Sequence, residues 1–118
     1  MLTADEQKYI ENSCEDYSKR FDWLRLSRVM TSRFKYGPAR QNFKTKNVDA
    51  LASMERCIKK YKETKNTEYL CDAANYIMFE FMFPQIDGAF FKPTNSGESA
   101  GIVGMSVKEM EDFKNENY

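Results

Sequence analysis

At 118 residues, 42% hydrophobic, 14% aromatic and 31% charged, the chain is too rich in core-forming side chains for disorder, and no run approaches the roughly 18 apolar residues that span a bilayer. Its eighteen basic and eighteen acidic residues cancel, so bulk adhesion to DNA or to an anionic membrane has little electrostatic drive. Three cysteines without a CxxC pair predict reduced thiols, and the absence of histidine removes both a usual zinc ligand and the imidazole base of triad chemistry.

The start, MLTADEQKYIENS, has neither the basic opening nor the apolar run of a secretion signal, so a cytoplasmic protein with one all-α domain over residues 1–118 is expected. Thr3-Ala4-Asp5-Glu6 has capping-box spacing and opens a first helix, with Ile10, Cys14, Tyr17 and Phe21 as its stripe to about residue 20. A second helix is predicted from about Trp23 to Lys35. Trp23, Leu26, Met30 and Phe34 form its apolar face, Arg25, Arg28, Ser32 and Lys35 its polar one, and Gly37-Pro38 ends it. The basic stretch 39–46 reads as a loop.

Asn47 or Asp49 caps a third helix to about Lys62, with Leu51, Met54, Ile58 and Tyr61 on one stripe. A fourth runs from about Glu68 to Phe83, carrying Leu70, Ala74, Ile77, Met78 and Phe81 toward the core before Pro84 stops it. The short turn at 65–67 makes these two an antiparallel hairpin at the centre of the fold, expected to pack through Leu51, Ile58, Leu70, Ile77 and Phe81. The following stretch holds four of the five glycines and the pair Phe90-Phe91, which suggests a long loop that packs down. Ser106 to Glu109 repeats the capping-box spacing and starts a last short helix, for about five helices in all.

Two constellations point to phosphate-bearing ligands. Residues 20–46 hold eight of the basic residues against Asp22 alone, a local balance of +7. Arginine's planar fork suits bidentate phosphate recognition and a neighbouring aromatic can stack a base, so Arg25, Arg28, Arg33, Lys35 and Arg40, with Tyr36 among them, form a candidate phosphate-binding surface. On the fourth helix Glu68, Asp72 and Asn75 share one strip, and Glu55 on the third helix can point across the hairpin. Three carboxylates of this kind are candidate ligands for magnesium, which bridges to substrate phosphates.

The run from Glu68 to Glu80, ending a stretch of about 35 residues from Asp49 to Phe83, resembles the second carboxylate helix of the all-α MazG-like nucleoside triphosphate pyrophosphohydrolases. It also resembles stretches of small uncharacterised bacteriophage proteins. The first resemblance implies a magnesium-dependent hydrolase acting on nucleoside triphosphates. Two departures stand out: the third helix has Ala52 and Ile58 where a second carboxylate belongs, and Glu68 and Asp72 are four residues apart rather than three. The reading preferred on the residues is a non-enzymatic binding protein that holds a nucleotide or a phosphorylated small molecule through its basic helix, with no cofactor. The same face could block a protein partner's phosphate-binding surface, and a homo-oligomer is a further expectation. Specific DNA binding is disfavoured by the neutral net charge.

Overall fold

The computed structural model describes residues 1–117 and is helical, with no strand among them. Its elements are α1 (Ala4–Asn12), α2 (Lys19–Tyr36), a π-helical turn (Arg40–Lys44), α3 (Ala50–Thr64), α4 (Glu68–Met82) and α5 (Val107–Asn117). The chain divides into two compact units, Met1–Asp87 and the segment from Gly88 onward.

Local capping sets most of the boundaries. Thr3 accepts from the Glu6 amide at 3.1 Å while its own amide donates to the Glu6 carboxylate at 3.0 Å, the reciprocal pair that opens α1. α1 stops at Asn12, short of the expected residue 20, because the next helix has its own start: the Ser18 hydroxyl accepts from the Phe21 amide at 3.0 Å. α2 therefore begins four residues before Trp23. Gly37, at φ +80°, lets the chain leave the helix where a side chain would strain it. Asp49 caps α3 through the Ala52 amide at 3.0 Å, and Lys65 in the left-handed region closes it.

α3 and α4 form the expected hairpin, and α2 packs against α4 as well. The core lies elsewhere than the sequence suggested. Phe43, expected in a loop, sits buried on the π-helical turn, stacked on Phe79 of α4 at 4.7 Å between ring centroids and edge-on to Tyr76 at 6.1 Å. Ala50 completes this cluster, with Val29, Ala39, Val48 and Met78 half-buried against it. Ile77 and Phe81, expected in the core, are 54% and 72% exposed, and Ile58 lies at the surface too. Residues two apart on a helix point some 160° apart, so once Asn75 and Phe79 turn toward α2 and the π-helical turn, Ile77 and Phe81 must face away. Leu51 and Leu70 are half-buried.

α2 is inverted relative to its hydrophobic pattern. Trp23, Leu26, Met30 and Phe34 are 68%, 53%, 69% and 94% exposed, while the polar face bearing Arg25 and Arg28 lies against α4. The physical reason is that α4 offers this face acceptors: the Asp72 carboxylate takes Arg28, and Met78 Sδ takes an N–H of Arg25 at 3.7 Å.

In the second unit Phe90 and Phe91 are exposed rather than packed down. Glu98 and Asn95 close a turn through a 3.1 Å backbone-to-side-chain bond, and Lys92 pairs with Glu98 at 3.7 Å. The Ser106 hydroxyl accepts from the Glu109 amide at 3.1 Å and starts α5.

Candidate ligand-binding cleft

One helical face of α2 presents Arg28, Ser32 and Tyr36 at intervals of four, with Val29 and Arg33 beside them. The chain then reverses at Gly37, and the π-helical turn folds back under the end of the helix. Two bonds hold it there: Asn42 Nδ2 donates to the Tyr36 carbonyl at 3.0 Å, and the Val48 amide donates to the Asn42 carbonyl at 2.9 Å. Asp72, Asn75, Tyr76 and Phe79 of α4 form the far wall. The result is a cleft of about 270 Å³ with Phe43, Tyr76 and Phe79 as an aromatic floor and Arg28, Arg33, Ser32 and Tyr36 along one side.

Asn75 is the most informative polar group in it. The residue is only 5% exposed, and its Nδ2 donates to the Arg25 backbone carbonyl at 2.8 Å. That bond fixes which way the amide points and leaves Oδ1 without a hydrogen-bond partner in the protein. A buried acceptor of this kind is uncommon in folded proteins, and leaving it unmatched costs about 1 to 3 kcal/mol. The Tyr76 hydroxyl, pushed above the usual tyrosine range chiefly by burial, stays protonated and able to donate.

The two constellations expected to bind separate ligands meet each other. Arg28 Nε donates to Asp72 Oδ1 at 3.0 Å and Nη2 to Oδ2 at 3.2 Å, a fork on a carboxylate, with Glu68 3.7 Å from the same Nη2. The Asp72 hydrogen bonds raise the Arg28 guanidinium further above its ordinary value. Arg25 is held by Asp22 at 2.9 Å, and the Tyr17 hydroxyl donates to that same carboxylate. The Tyr17 bond, and after it the Arg25 guanidinium, keep the Asp22 carboxyl below the usual range.

Of the basic residues named from sequence, then, Arg28 and Arg33 line the cleft. Arg25 is engaged outside it, Lys35 is exposed on α2, and Arg40 lies with Lys44, Met82, Phe83 and Pro84 around a separate shallow depression. Arg33 takes part in no ion pair among the described residues. Of the carboxylates, Glu68 and Asp72 face Arg28 and Glu55 is exposed on α3; among the described residues no three acidic, cysteine or histidine side chains gather closely enough to hold a metal ion. Sequence reasoning missed Phe43, Asn42 and Tyr76. The one available signal was a lone phenylalanine within a basic stretch, which is hard to justify unless it is buried.

An aromatic floor and a guanidinium without a carboxylate partner suit a small ligand that joins an apolar or aromatic part to an anionic group. Comparison of the chain with family models, with curated proteins and with solved structures returns no match.

Proposed function

We propose that this chain is a non-enzymatic binding protein whose α2–α4 cleft holds a small planar ligand bearing a phosphate, a nucleotide or a molecule like one. The observation that carries this reading is the meeting, in one cleft of about 270 Å³, of the Phe43, Tyr76 and Phe79 rings with Arg33, which forms no ion pair among the described residues. In this reading the aromatic side chains of the cleft pack against the apolar part of the ligand, and the Tyr76 hydroxyl is available as a donor. Arg33 meets the phosphate, with Tyr36 beside it. Arg28 contributes mainly as structure, since its fork is spent on Asp72.

Binding is favoured over magnesium-dependent hydrolysis because the two carboxylates that would carry the metal already neutralise Arg28. A cation would have to displace a guanidinium held by two hydrogen bonds, and Glu55 supplies no bond to the group.

Thermal melts with a panel of nucleoside mono-, di- and triphosphates and inorganic phosphate, each with and without magnesium, test the reading, with chromatography of the ligand afterwards. A ligand at a hundred times its dissociation constant should add about 2.7 kcal/mol, magnesium should not be required, and the nucleotide should be recovered unchanged. Arg33→Glu should remove most of the gain. Recovery of monophosphate and pyrophosphate would turn the assignment to the hydrolase, and a panel with no shift would remove the nucleotide reading.

A further inference from the structure

Three charged side chains line the cleft, Arg28 and Arg33 against Asp72. Arg28 is already committed. Its Nε and Nη2 hold the Asp72 carboxylate at 3.0 and 3.2 Å, and Glu68 stands 3.7 Å from the same Nη2, so this one guanidinium faces two carboxylates. Arg33 is the lining cation that forms no ion pair among the described residues. The other cations of the basic stretch stand outside the lining: Arg25 is paired with Asp22 at 2.9 Å, Arg40 and Lys44 border the separate depression beside Pro84, and Arg20, Lys35 and Lys46 belong to neither wall.

That balance limits the charge of a ligand. One negative charge is matched by Arg33. A second meets Asp72 and Glu68 with no uncommitted cation left in the cleft, and like charges brought together at a binding site cost affinity. Size acts in the same direction. At about 270 Å³ the cleft falls below the roughly 300 to 1,000 Å³ of pockets that enclose drug-sized ligands, which leaves room for a ring and one anionic group rather than for a ring and a phosphate chain. The guanidinium narrows the class further, because its planar fork takes two oxygens at once. A phosphate esterified on both sides presents two free oxygens and one charge, whereas a monoester presents three oxygens and a charge of about −1.5 to −2 at neutral pH.

We infer, resting on the reading of this cleft as a site for a phosphate-bearing ligand, that it selects a small aromatic phosphodiester over phosphomonoesters and polyphosphates, and that Asp72 sets the limit. The Asp72 carboxylate acts twice. It keeps Arg28 occupied, which withholds the second cation that a monoester or a triphosphate needs, and it repels the added charge itself. Its loss therefore changes which ligand is preferred, and not only how tightly any ligand is held.

Calorimetric titration at low salt without magnesium tests this with ligands that differ in charge alone: uridine and adenosine 5′-monophosphates, the methyl esters of their phosphates, and the triphosphates. The methyl esters should bind about five- to tenfold more tightly than the parent monophosphates, and the triphosphates most weakly. Uridine 3′,5′-cyclic phosphate and a linear uridine dinucleotide carry the same single charge and separate the two sources of such a diester; tighter binding of either than of the monophosphate supports the inference. In Asp72→Asn the advantage of the methyl ester should shrink to about twofold or less. Glu68→Gln leaves the fork in place and should shrink it in part, which keeps the test open if Asp72→Asn does not fold. A purely structural Asp72 would weaken every ligand alike, and an unchanged ratio in the folded variant overturns its role. The inference is overturned, with the cleft reading intact, if the monophosphates or triphosphates bind the wild type as tightly as the methyl esters. If no ligand of the set binds, the cleft reading is lost and this inference falls with it.

Discussion

The two faces of α2 reverse the arrangement that amphipathic helices ordinarily adopt. Its inward face holds Arg25 and Arg28 against Asp22, Asp72 and Met78, while its outward face leaves four large apolar side chains uncovered. A helical pattern shows which residues travel together on a face; whether that face turns inward depends on what the neighbour offers. Here α4 offers a carboxylate, a thioether and the Asn75 amide, which donates to the Arg25 carbonyl. A charged face that finds matched partners can be packed, and an apolar face then has to look outward.

The sharpest way to break this comparison is to compare one buried phenylalanine with one outward-facing phenylalanine. Phe79→Ala removes the stack on Phe43 and should cost roughly 3 to 5 kcal/mol in urea unfolding. Phe34→Ala should stay within about 0.5 kcal/mol, as at other surface sites. Equal losses would mean that the outward strip is covered in solution.

The Arg28–Asp72 fork comes next. A double-mutant cycle of Arg28→Met and Asp72→Asn, read by chemical denaturation, should give a coupling energy of about 1 kcal/mol, because the Arg28 side chain is 36% exposed and solvent screens the pair. A coupling near zero would leave the inward placement of the basic face without its main support. The same pair sharpens the ligand assignment: Asp72→Asn frees the Arg28 guanidinium and should tighten phosphate binding in the cleft, whereas a magnesium site would be weakened by that change.

A smaller effect is expected in acid. Asp22 is depressed by the Tyr17 hydroxyl and Arg25, and Asp49 by the Ala52 amide and then Gln85. A carboxyl with a lowered folded pKa contributes stability above its unfolded value of about 4 and loses it as pH falls through the lower folded value. Melting temperature should therefore hold from neutral pH to about pH 5 and drop below about 4. Asp22→Asn should flatten part of that drop, and Trp23 emission recorded alongside will show whether the outward strip changes with it.

Much of the helical outline was legible in the sequence because its causes are local. The Thr3–Glu6 box, the Asp49 cap and the exit at Gly37 each act over a few residues, and so do the turn between α3 and α4 and the Ser106 start of α5. The Ser18 cap is equally local, yet a stripe running on to Phe21 concealed it. Of the cleft, Arg28, Arg33 and Tyr36 could be named from their basic and aromatic neighbours. The carboxylate strip could be named too, but as a metal site rather than as the partner of Arg28.

What only the tertiary structure decided are the pairings across long separations: Arg28 with Asp72, Asn75 with the Arg25 carbonyl, and Phe43 with Phe79. Hydrophobic burial is non-directional and depends on area alone, so periodicity placed Trp23 with Phe34 and Ile77 with Phe81 without saying which way either pair points. Hydrogen bonds between residues 44 and 50 positions apart are directional, and at α2 they oriented the helix against its hydrophobic stripe.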